Sequence, residues 1–172
     1  MSVIPDRQLT WIDKSEWGPG PWHDEPDKVQ WVDPDTKLDC LAVRNPRYGH
    51  WCGYVGVPEG HPLFGRSYDE AESLLQGSDI HGGLTFADIC DEDDAEHGVC
   101  HVLLPGRPDM VWWLGFDAGH GWDLKPGYEP MLRSLGLQRV LPLPDGQQIY
   151  RGLAYIQDEC AILAGNIRAV ES

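Results

Sequence analysis

From Tyr150 onward, Leu153, Ile156, Cys160, Leu163 and Ile167 recur at steps of three and four, the period of a helix that buries one face. A helix of this kind needs an apolar surface to lie on, and short β-rich runs upstream supply it. Lys28 to Val32 and Leu38 to Val43 bracket Asp33-Pro34-Asp35, which is turn chemistry and predicts a hairpin. His50 to Val57 reads as a third strand in which Gly53 and Gly56 mark a bulge or a close backbone contact. Leu84 to Ala87 is a further strand. Cys100 to Leu104 and Met110 to Phe116 flank Pro105-Gly106-Arg107-Pro108 and predict the clearest hairpin of the chain.

Ser67 and Glu70 form a capping box ahead of Ala71, Leu74 and Leu75, so a short helix is expected there, ending near Gly77. Leu9 to Trp17 reads as a short amphipathic turn or helix, stopped by Gly18-Pro19-Gly20-Pro21. Residues 1–27 are therefore expected to form an arm or turn-rich lead-in to one domain spanning 1–172. Strands in succession with a terminal helix predict an α+β fold, a mainly antiparallel sheet with one short helix and a longer C-terminal one.

Charge narrows the partners. Twenty-eight acidic against 13 basic side chains give a formal net charge of −15. Phosphate binding draws on clustered Lys and Arg, so direct nucleic-acid binding is not expected. Two readings of the acidity stay open: a solvated surface that maintains solubility, or an acidic face offered to a basic host protein in place of nucleic acid. No apolar run approaches the roughly 20 residues a bilayer requires, and Asp6 and Arg7 stand where a signal peptide would be apolar. A cytoplasmic protein is expected. Its five cysteines, odd in number and without CxxC spacing, are expected to be reduced, mostly as small core residues rather than a zinc knuckle.

The segment richest in chemistry runs from Val111 to Asp123. An apolar strand enters Asp117-Ala118-Gly119-His120-Gly121-Trp122-Asp123, so Asp117, His120 and Asp123 follow a strand end, where a rigid sheet aims side chains from a glycine-rich loop. Imidazole and carboxylate are ligands for zinc, manganese or iron, and three protein ligands leave a position open for activated water. His81, beside Gly82 and Gly83, is the fourth candidate ligand if the strand that follows it neighbours this one. The alternative has Asp117 capping the turn, His120 donating to a backbone carbonyl and Asp123 solvated.

Glu59 and His61 in Pro58-Glu59-Gly60-His61-Pro62 are candidates for an acid/base pair or for ordering their turn. Strand alternation would send Cys100 and His101 to opposite faces, which argues against a Cys–His nucleophile pair. His23 and His50 have no evident partner. No serine sits in a G-x-S-x-G elbow. Of the adjacent Trp112 and Trp113, one is expected to face the core and the other to face outward or lie under a loop. An exposed indole near Asp117 and Trp122 would make an aromatic wall for a ring or a protein partner, while Trp11, Trp17 and Trp22 suit edge packing by the terminal segment.

The phrases Glu25 to Trp31, Gly53-Tyr54-Val55-Gly56-Val57-Pro58-Glu59-Gly60-His61-Pro62, His81-Gly82-Gly83-Leu84-Thr85-Phe86 and Val111 to Asp117 with His120 and Asp123 together resemble a family of short hypothetical proteins encoded by bacteriophages and some bacteria. The similarity covers nearly the whole chain. In that family a cysteine often follows the aspartate matched by Asp117, whereas this chain has Ala118, so no thiolate ligand or nucleophile stands there. The resemblance implies a phage-type accessory protein and no mechanism. Such proteins act on host defences by destroying a nucleotide signal or by binding a nucleic-acid-handling complex, as anti-CRISPR proteins do. Two functions are therefore carried forward: a metal-dependent hydrolase of phosphoester or nucleotide bonds, and a non-catalytic acidic inhibitor.

Overall fold

A computed structural model describes residues 7–75, 79–137 and 148–170. The strands are β1 (Arg7–Leu9), β2 (Lys28–Val32), β3 (Asp39–Arg44), β4 (Trp51–Pro58), β5 (Phe86–Asp88) and β6 (Val111–Asp117). They form one sheet in the order β1-β2-β3-β4-β6-β5, with every neighbouring pair antiparallel. The helices are α1 (Tyr68–Leu74), α2 (Tyr128–Ser134) and α3 (Leu153–Ala169), with a 3₁₀ turn at Pro21–Asp24. This is an α+β single domain, as expected. No described helix is long and apolar enough to cross a membrane.

Alternation along the strands separates two apolar faces. Val29, Trp31, Cys40, Ala42, Trp51, Val55 and Phe116 lie on one, sealed by Ile156, Cys160, Leu163 and Ile167 of α3. The periodic stripe read from the sequence is thus the buried face of the helix. Gly53 is glycine because α3 and β6 approach here: a Cβ on it would overlap the Phe116 ring and sit 2.9 Å from Cys160 Sγ. It carries a close contact and no bulge. The helix α1 begins where the capping box predicts, with Ser67 Oγ accepting from Glu70 N at 3.3 Å, while the expected end near Gly77 lies outside the described residues.

The second face holds Leu41, Tyr54, Val111 and Trp113, covered by the segment between β5 and β6. Here the expected hairpin is overturned. Cys100–Leu104 forms no strand, and β6 pairs with β4 and β5 instead. The reason is that buried polar side chains on β2 satisfy the backbone of the segment and draw it across the sheet. Gln30 exchanges two hydrogen bonds with the Val102 backbone, at 2.9 and 2.7 Å. Lys28 Nζ donates to the carbonyls of Ala95, Glu96 and Gly98. Of the adjacent tryptophans, Trp113 is fully buried beneath this cover, and half-buried Trp112 packs beside Phe64.

Three further expectations are corrected. Of the turn or helix expected over Leu9 to Trp17 only a turn forms, Trp17 N donating to Lys14 O at 3.0 Å; Arg7–Leu9 is an edge strand, and Trp11 N and Ile12 N both donate to Asp27 Oδ2 at 2.9 Å. Buried Asp27 also pairs with Lys14 and with the fully buried Arg44, which holds the segment extended. The cysteines are not all reduced, because Cys90 and Cys100 form a disulfide, while Cys40, Cys52 and Cys160 are free. The helix α2 was not foreseen from the sequence; its Pro130 sits in the first turn, where a missing amide hydrogen costs no bond. Gly53→Ala is predicted to lower the unfolding free energy by about 1–3 kcal/mol through overpacking. The urea midpoint reads this, and an unmoved midpoint would contradict the packing described.

Candidate metal centre

Antiparallel pairing of β5 with β6 places the start of one beside the end of the other. Thr85 N donates to Gly115 O at 2.9 Å, so the turn before β5 faces the loop after β6. That turn is Ile80 to Gly83, closed by Gly83 N to Ile80 O, with Gly82 and Gly83 both at positive φ. Glycine at 82 also makes room, since a Cβ there would overlap the His120 ring. The adjacency that would bring His81 to His120 is therefore present.

After β6 the chain makes two nested turns. Asp117 Oδ1 accepts from Gly119 N at 3.0 Å, the capping role foreseen as an alternative. Next, Asp123 N donates to His120 O and His120 N donates back to Asp123 Oδ2, at 3.0 and 3.1 Å. These reciprocal bonds fold Asp123 inward, and its side chain is fully buried rather than solvated.

On that carboxylate three segments meet. His81 Nε2 lies 3.0 and 2.9 Å from its two oxygens, His120 Nδ1 lies 3.2 Å from Oδ2, and Arg151 Nε donates to Oδ1 at 3.3 Å. Burial pushes the Asp123 carboxyl upward, but the hydrogen bonds from His81 and from the His120 amide outweigh it and hold the group below its ordinary value. An ionised carboxylate only accepts, so His81 Nε2 carries a hydrogen, while His81 Nδ1 is hydrogen-bonded to Tyr155 Oη at 2.8 Å. Glu159 Oε2 takes the His81 amide at 3.0 Å. Tyr155 and Glu159, one turn apart on α3, fix the position of the turn.

One nitrogen of His81, one of His120 and one oxygen of Asp123 all lie within 4.8 Å of one another. A divalent ion replacing the two ring hydrogens would find two imidazoles and a carboxylate converging. Of the four predicted ligands the structure gathers these three. Asp117 stands at the rim, its Oδ1 3.8 Å from His120 Nδ1. Exposed Trp122 stacks on His120 at 4.8 Å with planes 5° apart, but the second indole expected beside it is absent from this site, since Trp113 is buried and Trp112 packs on Phe64.

Glu59 and His61 are elsewhere. His61 is buried, with Nε2 bonded to Ile167 O at 2.9 Å and Nδ1 accepting from Leu63 N at 3.0 Å, so it orders its turn. Ile167 is twelve residues from Tyr155, about 18 Å along a helix. Glu59 is exposed.

Arg151, Tyr155 and Glu159 are not among the residues singled out in the sequence, and His50 is singled out there only as lacking an evident partner. The first three step by four alongside the apolar stripe of α3, a polar row that periodicity alone could have flagged. His50 ends the turn before β4 and meets Gly119 from below, where a Cβ would lie 2.7 Å from its Nε2. Burial lowers its pKa to about 4, so the ring is neutral.

One residue beyond Asp123 an open cleft of about 340 Å³ begins, lined by Trp17, Leu124, Lys125, Tyr128 and Arg133 among others. No family model, curated protein or solved structure matches the chain. Because the Asp123 carboxyl is depressed in the fold, its stabilisation is present above the ordinary carboxyl value and is lost as pH falls through the folded one. Asp123→Asn is therefore predicted to be less stable than wild type at neutral pH, with a gap that shrinks below about pH 3.9. Urea unfolding across pH measures it; a gap independent of pH would contradict the assignment.

Proposed function

We propose that the protein is a metal-dependent hydrolase of phosphoester bonds, with His81, His120 and Asp123 holding zinc or manganese. The observation that carries this reading is the convergence of two imidazoles on one buried carboxylate from separate segments. Three protein ligands leave coordination open for a water, whose pKa a divalent ion lowers toward neutrality. Tyr155 is the outer partner of His81, and half-buried Asp117 is placed to accept a proton at the rim. The neighbouring cleft carries both signs of charge, Lys125 and Arg133 against Glu16 and Glu129, and its Trp17 and Tyr128 offer flat apolar surface to a substrate with a ring.

Purified protein is predicted to retain about one equivalent of transition metal and to hydrolyse bis(4-nitrophenyl) phosphate or a nucleotide ester. His120→Ala and Asp123→Asn lose both metal and turnover, and Tyr155→Phe weakens either by about 10–100-fold as an outer-shell change. Protein that neither retains zinc or manganese nor gains activity from them would end the proposal.

A second reading rests on the covering loop. Asp91 to Asp94 and Glu96 are all exposed, and their backbone is anchored by Lys28 and closed by the disulfide. An acidic surface held in shape suits a basic host protein. In that case neutralising Asp91, Glu92, Asp93 and Asp94 together abolishes salt-sensitive capture of such a protein, and capture that survives the change rules it out.

A further inference from the structure

The disulfide sits in a second cluster of soft donors, on the opposite face of the sheet from α3. Cys90 Sγ, Cys100 Sγ and one nitrogen of His101 lie within 4.8 Å of one another. His101 is buried, and its Nε2 bonds to Pro108 O at 3.1 Å. A carbonyl only accepts, so Nε2 carries the hydrogen and the Nδ1 lone pair is turned toward Cys90 Sγ, 3.5 Å away. In the disulfide form that lone pair meets a sulfur with no hydrogen to donate. Trp113 Nε1 donates to the same sulfur at 3.4 Å, a bond that favours negative charge on it. An imidazole whose far nitrogen is fixed by a backbone carbonyl is how proteins orient a histidine ligand.

The sulfur–nitrogen spacing fits a tetrahedral ion, and the two sulfurs would separate on reduction. With zinc bonds of about 2.3 Å to sulfur and about 2.0 Å to nitrogen, adjacent sulfur and nitrogen donors stand about 3.5 Å apart. Cys90 and His101 already have that spacing. Both cysteines are only half-buried, which leaves a path from solvent. The expectation that strand alternation separates Cys100 from His101 does not apply, because the segment is not a strand.

We propose that Cys90, Cys100 and His101 form a redox-gated site for a soft divalent ion, zinc being the natural occupant, separate from the His81 centre. A dithiol reductant gives two electrons and two protons to the Cys90–Cys100 bond while its own thiols close into a disulfide. Both cysteine protons then leave to solvent as the ion binds two thiolates and His101 Nδ1, with water completing the shell. Either state closes the same acidic loop, by a covalent bond under oxidising conditions and by a metal under reducing ones. The site is independent of the proposed hydrolase activity.

The test loads the full chain with Co²⁺ after reduction by a phosphine and follows the near-ultraviolet thiolate-to-cobalt charge-transfer band. Reduced wild type is expected to show the band and to bind one more equivalent of cobalt than the oxidised chain. The band persists in His81→Ala and is lost in Cys90→Ser and in His101→Ala. Comparing oxidised with reduced wild type needs no substitution, so a variant that fails to fold leaves the test intact. Absence of the band from reduced wild type, or its survival in Cys90→Ser, overturns the proposal, whatever metal the His81 centre holds.

Discussion

The buried carboxylate of Asp123 ties together three segments of the chain that lie far apart in sequence. It takes His81 from the turn before β5, His120 from the loop after β6, and Arg151 from the approach to α3. A buried charge is tolerated only when it is paired and hydrogen-bonded, so each of these groups is required where it stands. The same constraint builds a site. Side chains that must converge to neutralise one carboxylate also converge on the position where a cation would replace their hydrogens.

The sheet makes that convergence geometrically possible and rigid. The helix α3 seals one face with its apolar stripe and presents Tyr155 and Glu159 from the adjoining row to the His81 turn. The other face is covered without regular structure. Lys28 and Gln30 reach from β2 to backbone groups of the crossing segment, and Cys90 and Cys100 close its acidic part. Five of the 28 acidic side chains, Asp91 to Asp94 and Glu96, therefore stand on a loop whose backbone is fixed at both ends. The candidate metal centre and the acidic surface arise from different structural causes.

How far the sequence could be read follows from which interactions were local. The period of Ile156, Cys160, Leu163 and Ile167, the Asp33-Pro34-Asp35 turn and the Ser67 cap depend on near neighbours, and the structure bears them out. Leu9 to Trp17 and Cys100 to Leu104 depend on distant groups. Asp27, 15 and 16 residues away, takes the amides of Ile12 and Trp11, and Gln30, 72 residues away, takes the backbone of Val102. Local propensity carries no trace of either. The site divides in the same way: Asp123 and His120 are three residues apart and legible as a unit, His81 needed the pairing of β5 with β6, and Arg151 and Tyr155 needed α3 in place. The Cys90–Cys100 pair was missed because its spacing matches no common motif and only the covering path unites it.

The proposed function rests on His81, His120 and Asp123 binding one divalent ion. Its most direct measurement is an anomalous difference map at the zinc edge from crystals of zinc-loaded protein. The expected map has a peak bonded to His81 Nε2, His120 Nδ1 and an Asp123 oxygen at about 2.0–2.2 Å. A zinc-saturated crystal with no peak there, and with both imidazoles still hydrogen-bonded to the carboxylate, would contradict it.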